Sequence, residues 1–192
     1  MPQPKHLMKL DLPVPDPDPS EEDLKKYFAK CREKLGMVPN VIRTVAHNPK
    51  KARTFIATYN ELMLGDSKLS KLEREMIAVV VSSANRCYYC LVAHGQAVRA
   101  LSGDAQLGEM LVMNYRVAHL DKRQRAMLDF AWKLTMTPFD IGDADREGLR
   151  KAGFDDQEIY DIADVVAFFN MSNRMAHATD MMPNPEYHDM SR

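Results

Sequence analysis

Ser70-Lys-Leu-Glu-Arg-Glu-Met-Ile-Ala-Val-Val-Val-Ser-Ser-Ala-Asn-Arg-Cys-Tyr-Tyr-Cys-Leu-Val-Ala-His94 is the stretch on which the fold turns. It opens with a capping box, in which Ser70 and Glu73 satisfy each other's backbone donors. The helix so started runs into Met76 to Val81, apolar on nearly every side. Such a segment belongs in the middle of a helical bundle. A break near Ser83-Ala84-Asn85 leads to a second helix, expected over about Tyr88 to Leu101 and stopped by Gly103.

Helical signals continue outward on both sides. Ser20 reads as an N-cap followed by Glu21, Glu22 and Asp23. Leu24, Phe28, Cys31 and Leu35 then recur at helical spacing up to Gly36. A short helix is expected over Val41 to Ala46, and a longer one from Asn48-Pro49 through Leu64. Asp104 opens another through Met113. Asp121 caps Lys122 to Met136, Asp143 caps a short helix ending at Gly153, and Asp155 or Asp156 opens the last, through Ala178. No stretch shows sustained strand alternation bounded by hairpin turns. The reading is an all-α bundle with three parts. Residues 1–19 form an extended Pro/Asp-rich arm too polar to bury much. The helical domain spans 20–182. In the tail, 183–192, Pro183 and Pro185 are expected to end the order.

Composition excludes several partners. The chain has 192 residues, 45% hydrophobic and 28% charged, with a formal net charge of −1. That balance gives no electrostatic reason to propose nucleic acid or a membrane surface. Met76 to Val81 is far too short to cross a bilayer. The Pro-broken start lacks the apolar core of a signal peptide. With three cysteines, two of them in a CxxC pair, this favours a cytoplasmic protein whose disulfide is functional. The 14 methionines read as adaptable core and interface filler.

Reactive chemistry concentrates at Cys87-Tyr88-Tyr89-Cys90, with His94 four residues later and Glu75 twelve before. Two cysteines at this spacing can close a disulfide. A cysteine attacks only as thiolate, and a helix N-terminus and a nearby imidazole both lower a thiol pKa. Cys87 and Cys90 fall at an expected helix start. His94 neighbours Cys90 on the helix surface and can take or return its proton. Glu75 shares a face with Val79, so its carboxylate enters a buried face. There it either works near a titrating group or makes a bland ion pair with Arg74 or Lys71. A zinc reading of Cys87, Cys90 and His94 lacks a fourth ligand. Cys31 reads as a buried small hydrophobe. His47, His119 and His177 stand alone. Arg174 reads as a paired structural charge, Trp132, Phe130, Phe168 and Phe169 as core, and Lys122-Arg-Gln-Arg125 as a solvated helix start.

The segment from Glu75 to His94, with its E-(x)11-CxxC-xxx-H spacing, resembles the signature of the alkylhydroperoxidase AhpD / carboxymuconolactone decarboxylase-like family. Gly36-Met-Val-Pro-Asn-Val41 resembles its peroxidase-related branch. So do Arg123-Gln-Arg-Ala-Met-Leu-Asp-Phe-Ala131, Gly153-Phe-Asp-Asp156 and Phe168-Phe-Asn-Met-Ser-Asn-Arg174. The resemblance covers almost everything after the arm. It implies an AhpD-like helical fold that oligomerises as a dimer, trimer or hexamer, with no bound cofactor. It also implies a Cys87–Cys90 redox disulfide recycled by an external dithiol, a lipoyl or thioredoxin-like reductant. Cys90 would be peroxidatic and Cys87 resolving, with His94 and Glu75 as the proton relay. Well-studied AhpD proteins place a second histidine just before the peroxidatic cysteine, where this chain has Tyr89. A tyrosine hydroxyl relays a proton but is a poor base near neutral pH. The more N-terminal thiol of a CxxC helix is often the more exposed attacker; His94 beside Cys90 decides for the family's assignment. The expected function is a hydroperoxide-reducing thiol peroxidase. The alternative is a redox-responsive binding module whose disulfide switches partner or oligomer contacts. A decarboxylase-type lyase fits poorly, since that chemistry does not call for a CxxC pair.

Overall fold

The computed structural model describes residues 3–192, which hold nine α-helices and no strand. They are α1 (Glu22–Leu35), α2 (Asn40–Val45), α3 (Pro49–Leu64), α4 (Lys71–Ala84), α5 (Tyr88–Ser102), α6 (Ala105–Asn114), α7 (Lys122–Met136), α8 (Asp143–Lys151) and α9 (Asp156–Thr179).

Helix α4 is the axis of the bundle, packed by α5, α6, α7 and α9. Its start is the capping box: Ser70 Oγ accepts from Glu73 N at 3.1 Å, and Glu73 Oε2 accepts from Ser70 N at 2.8 Å. All six side chains from Met76 to Val81 are at 0% exposure. At ~1.5–3 kcal/mol for each large apolar side chain buried, this run is a large contribution to the core. A second cluster joins α1, α2 and α3 through Leu24, Phe28, Ile42, Ala52 and Ile56. Buried Arg74 sits between the two regions without a carboxylate. Its Nη1 donates to Leu62 O (3.1 Å) and Gly65 O (2.9 Å), carbonyls that the end of α3 leaves unpaired.

Several local expectations are corrected. Ser20 does not cap α1: Glu21 stands at the N-cap, and Ser20 Oγ donates to its carboxylate. Gly142, not Asp143, stands at the N-cap of α8, its N–H donating to Asp145. The 122–125 run is not simply solvated. Arg123 donates to Glu73, Glu158 and Gly153 O and stacks on Phe154, while Arg125 caps the carbonyls of Tyr115, Arg116 and Ala118. Arg174 makes no ion pair among the described residues and donates to Asn170 instead.

The tail does not lose order after Pro183. Asn184 is buried and bridges to α2: its Oδ1 accepts from Asn40 N at 2.6 Å, and its Nδ2 donates to Val38 O at 3.0 Å. Buried Arg99 of α5 donates to Tyr187 O (3.0 Å) and Met190 O (3.1 Å). Prolines stop a helix without preventing an extended segment from being anchored by side chains. From residue 3 on the arm is extended, and it is tied down too: Lys9 N donates to Thr179 O, and Met182 N to Leu7 O.

Candidate active site

The turn between α4 and α5 sets the thiols in place. Arg86 adopts a left-handed backbone (φ 55°), which turns the chain within three residues. A non-glycine residue there is strained by ~1–3 kcal/mol, so surrounding structure must hold it. Cys87 N–H donates to Ser82 O at 2.9 Å. Cys87 becomes the N-cap of α5, and Cys90 falls in its first turn, where the backbone carries partial positive charge. Both cysteines are buried and unbridged.

The pair shares hydrogen-bonding and charge. Cys90 donates to Cys87, which lowers the Cys87 pKa to about 7 despite its burial; the Cys90 backbone N–H, His177 and His94 act in the same direction. Cys90 is pushed well up by that same bond and by burial. Asn173 and Ser82 hydrogen-bond to Cys90 and favour its thiolate. Those two also bond each other, Asn173 Nδ2 to Ser82 Oγ at 3.1 Å, and Asn173 Oδ1 accepts from Asn85. The first thiolate of the pair should therefore appear, by ultraviolet thiolate absorbance, with a midpoint near pH 7. Cys90→Ala removes the donor and should move that midpoint up toward about 8.5. An unmoved midpoint would refute the shared bond.

One turn further along α5, His94 meets Glu75 of α4. His94 Nδ1 lies 2.6 Å from Glu75 Oε2, and the two side chains are only 12% and 10% exposed. A carboxylate accepts, so Nδ1 carries the proton and Nε2 is left for other chemistry. The ring stands edge-on to Phe169, centroids 4.6 Å apart. Arg74 and Lys71 do not pair with Glu75.

Glu75, His94 and Cys90 all line one cavity of about 450 Å³ between α1, α3, α5, α9 and the tail. Cys87 does not line it. The walls are mostly apolar and aromatic, including Phe168, Phe169, Tyr59 and Tyr187. Burial, with the Glu75 charge next for both, raises the Tyr59 and Tyr187 pKa values, so both hydroxyls stay protonated. Tyr89 lines the same cavity, but its hydroxyl accepts from Val41 N at 3.0 Å, and burial raises its pKa far above neutrality. It anchors the start of α2 and has no capacity as a base.

Sequence reasoning missed Ser82, Asn173 and His177. His177 Nε2 donates to Asn85 O at 3.0 Å, beside Cys87. Asn170, Asn173 and His177, spaced three and four residues apart on an apolar helix, were the available signal. Tyr187 gave none. Among the described residues no three His, Cys, Asp or Glu side chains form a metal-binding group, and no helix is long and apolar enough to cross a membrane.

The structure is an all-helical bundle with a CxxC pair at a helix N-terminus and a buried His–Glu pair on the cavity that Cys90 lines. Comparison with known proteins gives the lineage. The model of the carboxymuconolactone decarboxylase family matches residues 49–113. An uncharacterized peroxidase-related protein from Silicibacter sp. TM1040 is 64% identical over 100% of both chains, with a TM-score of 0.95. The alkylhydroperoxidase AhpD core structure of an uncharacterized peroxidase-related protein from Ralstonia eutropha JMP134 is 40% identical over 98% of both chains, with a TM-score of 0.90. The debrominase Bmp8 shares the fold at 20% identity, over 89% of this chain and 93% of its own, with a TM-score of 0.75. A comparison with curated proteins returned no match. The chain belongs to the AhpD / carboxymuconolactone decarboxylase-like family.

Proposed function

We propose that the protein is a thiol peroxidase that reduces hydroperoxides through a Cys87–Cys90 disulfide cycle. The observation that carries this reading is the unbridged Cys87–Cys90 pair, with Cys90 on the wall of a cavity that also holds the His94–Glu75 pair. The peroxidase-related relatives support it.

The cycle starts with a hydroperoxide in the cavity. The shared negative charge passes to Cys90 as the bridging proton moves to Cys87. The Cys90 thiolate attacks the outer peroxide oxygen and the O–O bond breaks. The proton released when the thiol pair ionised, carried on His94 Nε2, passes to the leaving alkoxide, which departs as the alcohol. Cys90, oxidised by two electrons, is then a sulfenic acid. The Cys87 sulfur attacks it and loses its proton, hydroxide leaves as water, and the disulfide forms. An external dithiol, lipoyl or thioredoxin-like, returns two electrons and two protons by thiol–disulfide exchange. Glu75 holds the His94 ring and balances its charge when protonated. The cycle needs no bound cofactor. A homo-oligomer is part of this proposal.

A second reading, a redox-responsive binding or regulatory module, is favoured by one feature: Met181 and Tyr187, from the end of the chain, share one buried cluster with the thiol pair. A thiol count before and after one equivalent of hydroperoxide, followed by reduced lipoamide, separates the two. Rapid, repeatedly reversible loss of two thiols at Cys87 and Cys90 is expected. Slow, single-shot oxidation would sink the peroxidase and favour the switch.

A further inference from the structure

The cavity has a chemically uneven mouth. Its deep end holds Cys90, His94 and the aromatic wall. Its exposed rim carries Lys30 and Lys34 from α1 and Lys71 from α4, interleaved with exposed Leu35, Leu64 and Leu101. Among the described residues Lys30 and Lys71 make no ion pair, and Lys34 meets only Glu33, its chain neighbour, at 3.7 Å with both side chains mostly in water. Glu75 is the one carboxylate on the cavity wall, and His94 holds it. The mouth is therefore positive and the interior apolar.

Size narrows the occupant. The cavity of about 450 Å³ is an ordinary small-ligand volume, ~300–1,000 Å³. A water molecule's share of liquid volume is only ~30 Å³, so hydrogen peroxide would leave most of the space unfilled. An aliphatic chain fits the walls, and an anionic head fits the rim.

We infer that the site takes a medium- or long-chain carboxylic acid, its carboxylate held by Lys30, Lys34 and Lys71 and its chain carrying the reacting group down to Cys90. Resting on the peroxidase reading, the substrate is the hydroperoxide of such an acid, reduced to the hydroxy acid as the two thiols give up two electrons. The lysines are positioning residues; they touch the carboxylate and not the reacting oxygens.

Binding is measured first, without oxidation, by calorimetric titration of the reduced protein with decanoate and with decanol below micelle formation. The decanoate-to-decanol affinity ratio should fall about tenfold in the Lys30→Gln/Lys34→Gln/Lys71→Gln variant, which removes three exposed positive charges from the rim. Decanoate binding alone should weaken with salt. An unchanged ratio overturns the proposal. Thiol loss is then timed with linoleic acid hydroperoxide, its methyl ester and cumene hydroperoxide. The acid should react about tenfold faster than the ester at limiting concentration. The triple variant should lose that preference and keep its rate with cumene hydroperoxide. If decanoate binds selectively while no hydroperoxide drains the thiols, the carboxylate site stands and the peroxidase reading falls. If cumene hydroperoxide drains them with no selectivity for the acids, the carboxylate site falls alone.

Discussion

Cys90→Ser is expected to reduce peroxide-driven thiol loss by more than ~10³-fold, because a serine hydroxyl offers no thiolate. Cys87→Ser is expected to keep the first oxidation and stop the second, leaving a sulfenic acid at Cys90. Two facts pull against each other here. Acidity favours Cys87, whose pKa is lowered to about 7. Access favours Cys90, which lines the cavity while Cys87 does not. Access decides, because an attacking sulfur must reach the peroxide oxygen, whereas charge crosses the shared hydrogen bond with one proton shift. Asn173 and Ser82 then stabilise the charge on Cys90. Dimedone trapping followed by peptide mapping reads the outcome. A trapped adduct on Cys87 in the Cys90→Ser variant, with none on Cys90 in Cys87→Ser, would reverse the assignment.

The parts of this architecture that are legible in the sequence are the local ones. The Ser70–Glu73 box, the Met76–Val81 run and the Asn48, Asp104, Asp121 and Asp155 caps act within a turn or two of themselves. The chain therefore displays them without its fold. Cys87, Cys90 and His94 lie on one helix, so their neighbourhood also follows from spacing. Their environment does not. Asn173 and His177 reach the thiols from a helix more than eighty residues away. Arg123 and Arg125 look like surface charges until the carboxylates and carbonyls they satisfy are folded against them. The tail departs furthest from what the sequence suggests, for a physical reason. Low local propensity after Pro183 says nothing about Asn184 and Arg99, two side chains that satisfy distant backbone groups. Through them a segment without helix signals supplies Tyr187 to the cavity wall.

The Glu75–His94 pair carries the second large effect. Glu75→Gln is expected to slow thiol oxidation by hydroperoxide by ~10²-fold, the lower range for a positioned proton-transfer group, with little change in thermal midpoint. Glutamine is nearly isosteric and its carbonyl still accepts from His94 Nδ1, so the ring keeps the orientation set at 2.6 Å. What disappears is the negative charge beside an imidazole that becomes positive as it carries a proton between thiol and leaving oxygen. In a site only 10–12% exposed, water does not replace that charge well. Glu75→Ala differs: it also opens a void between α4 and α5 and leaves Nδ1–H unpaired, adding ~1–3 kcal/mol of destabilisation. The comparison separates charge from packing. If Gln and Ala slow the reaction equally and both lower the midpoint, Glu75 is a packing residue. If Gln leaves the rate within about threefold of the parent, His94 moves its proton without help from Glu75, and the relay reduces to one residue.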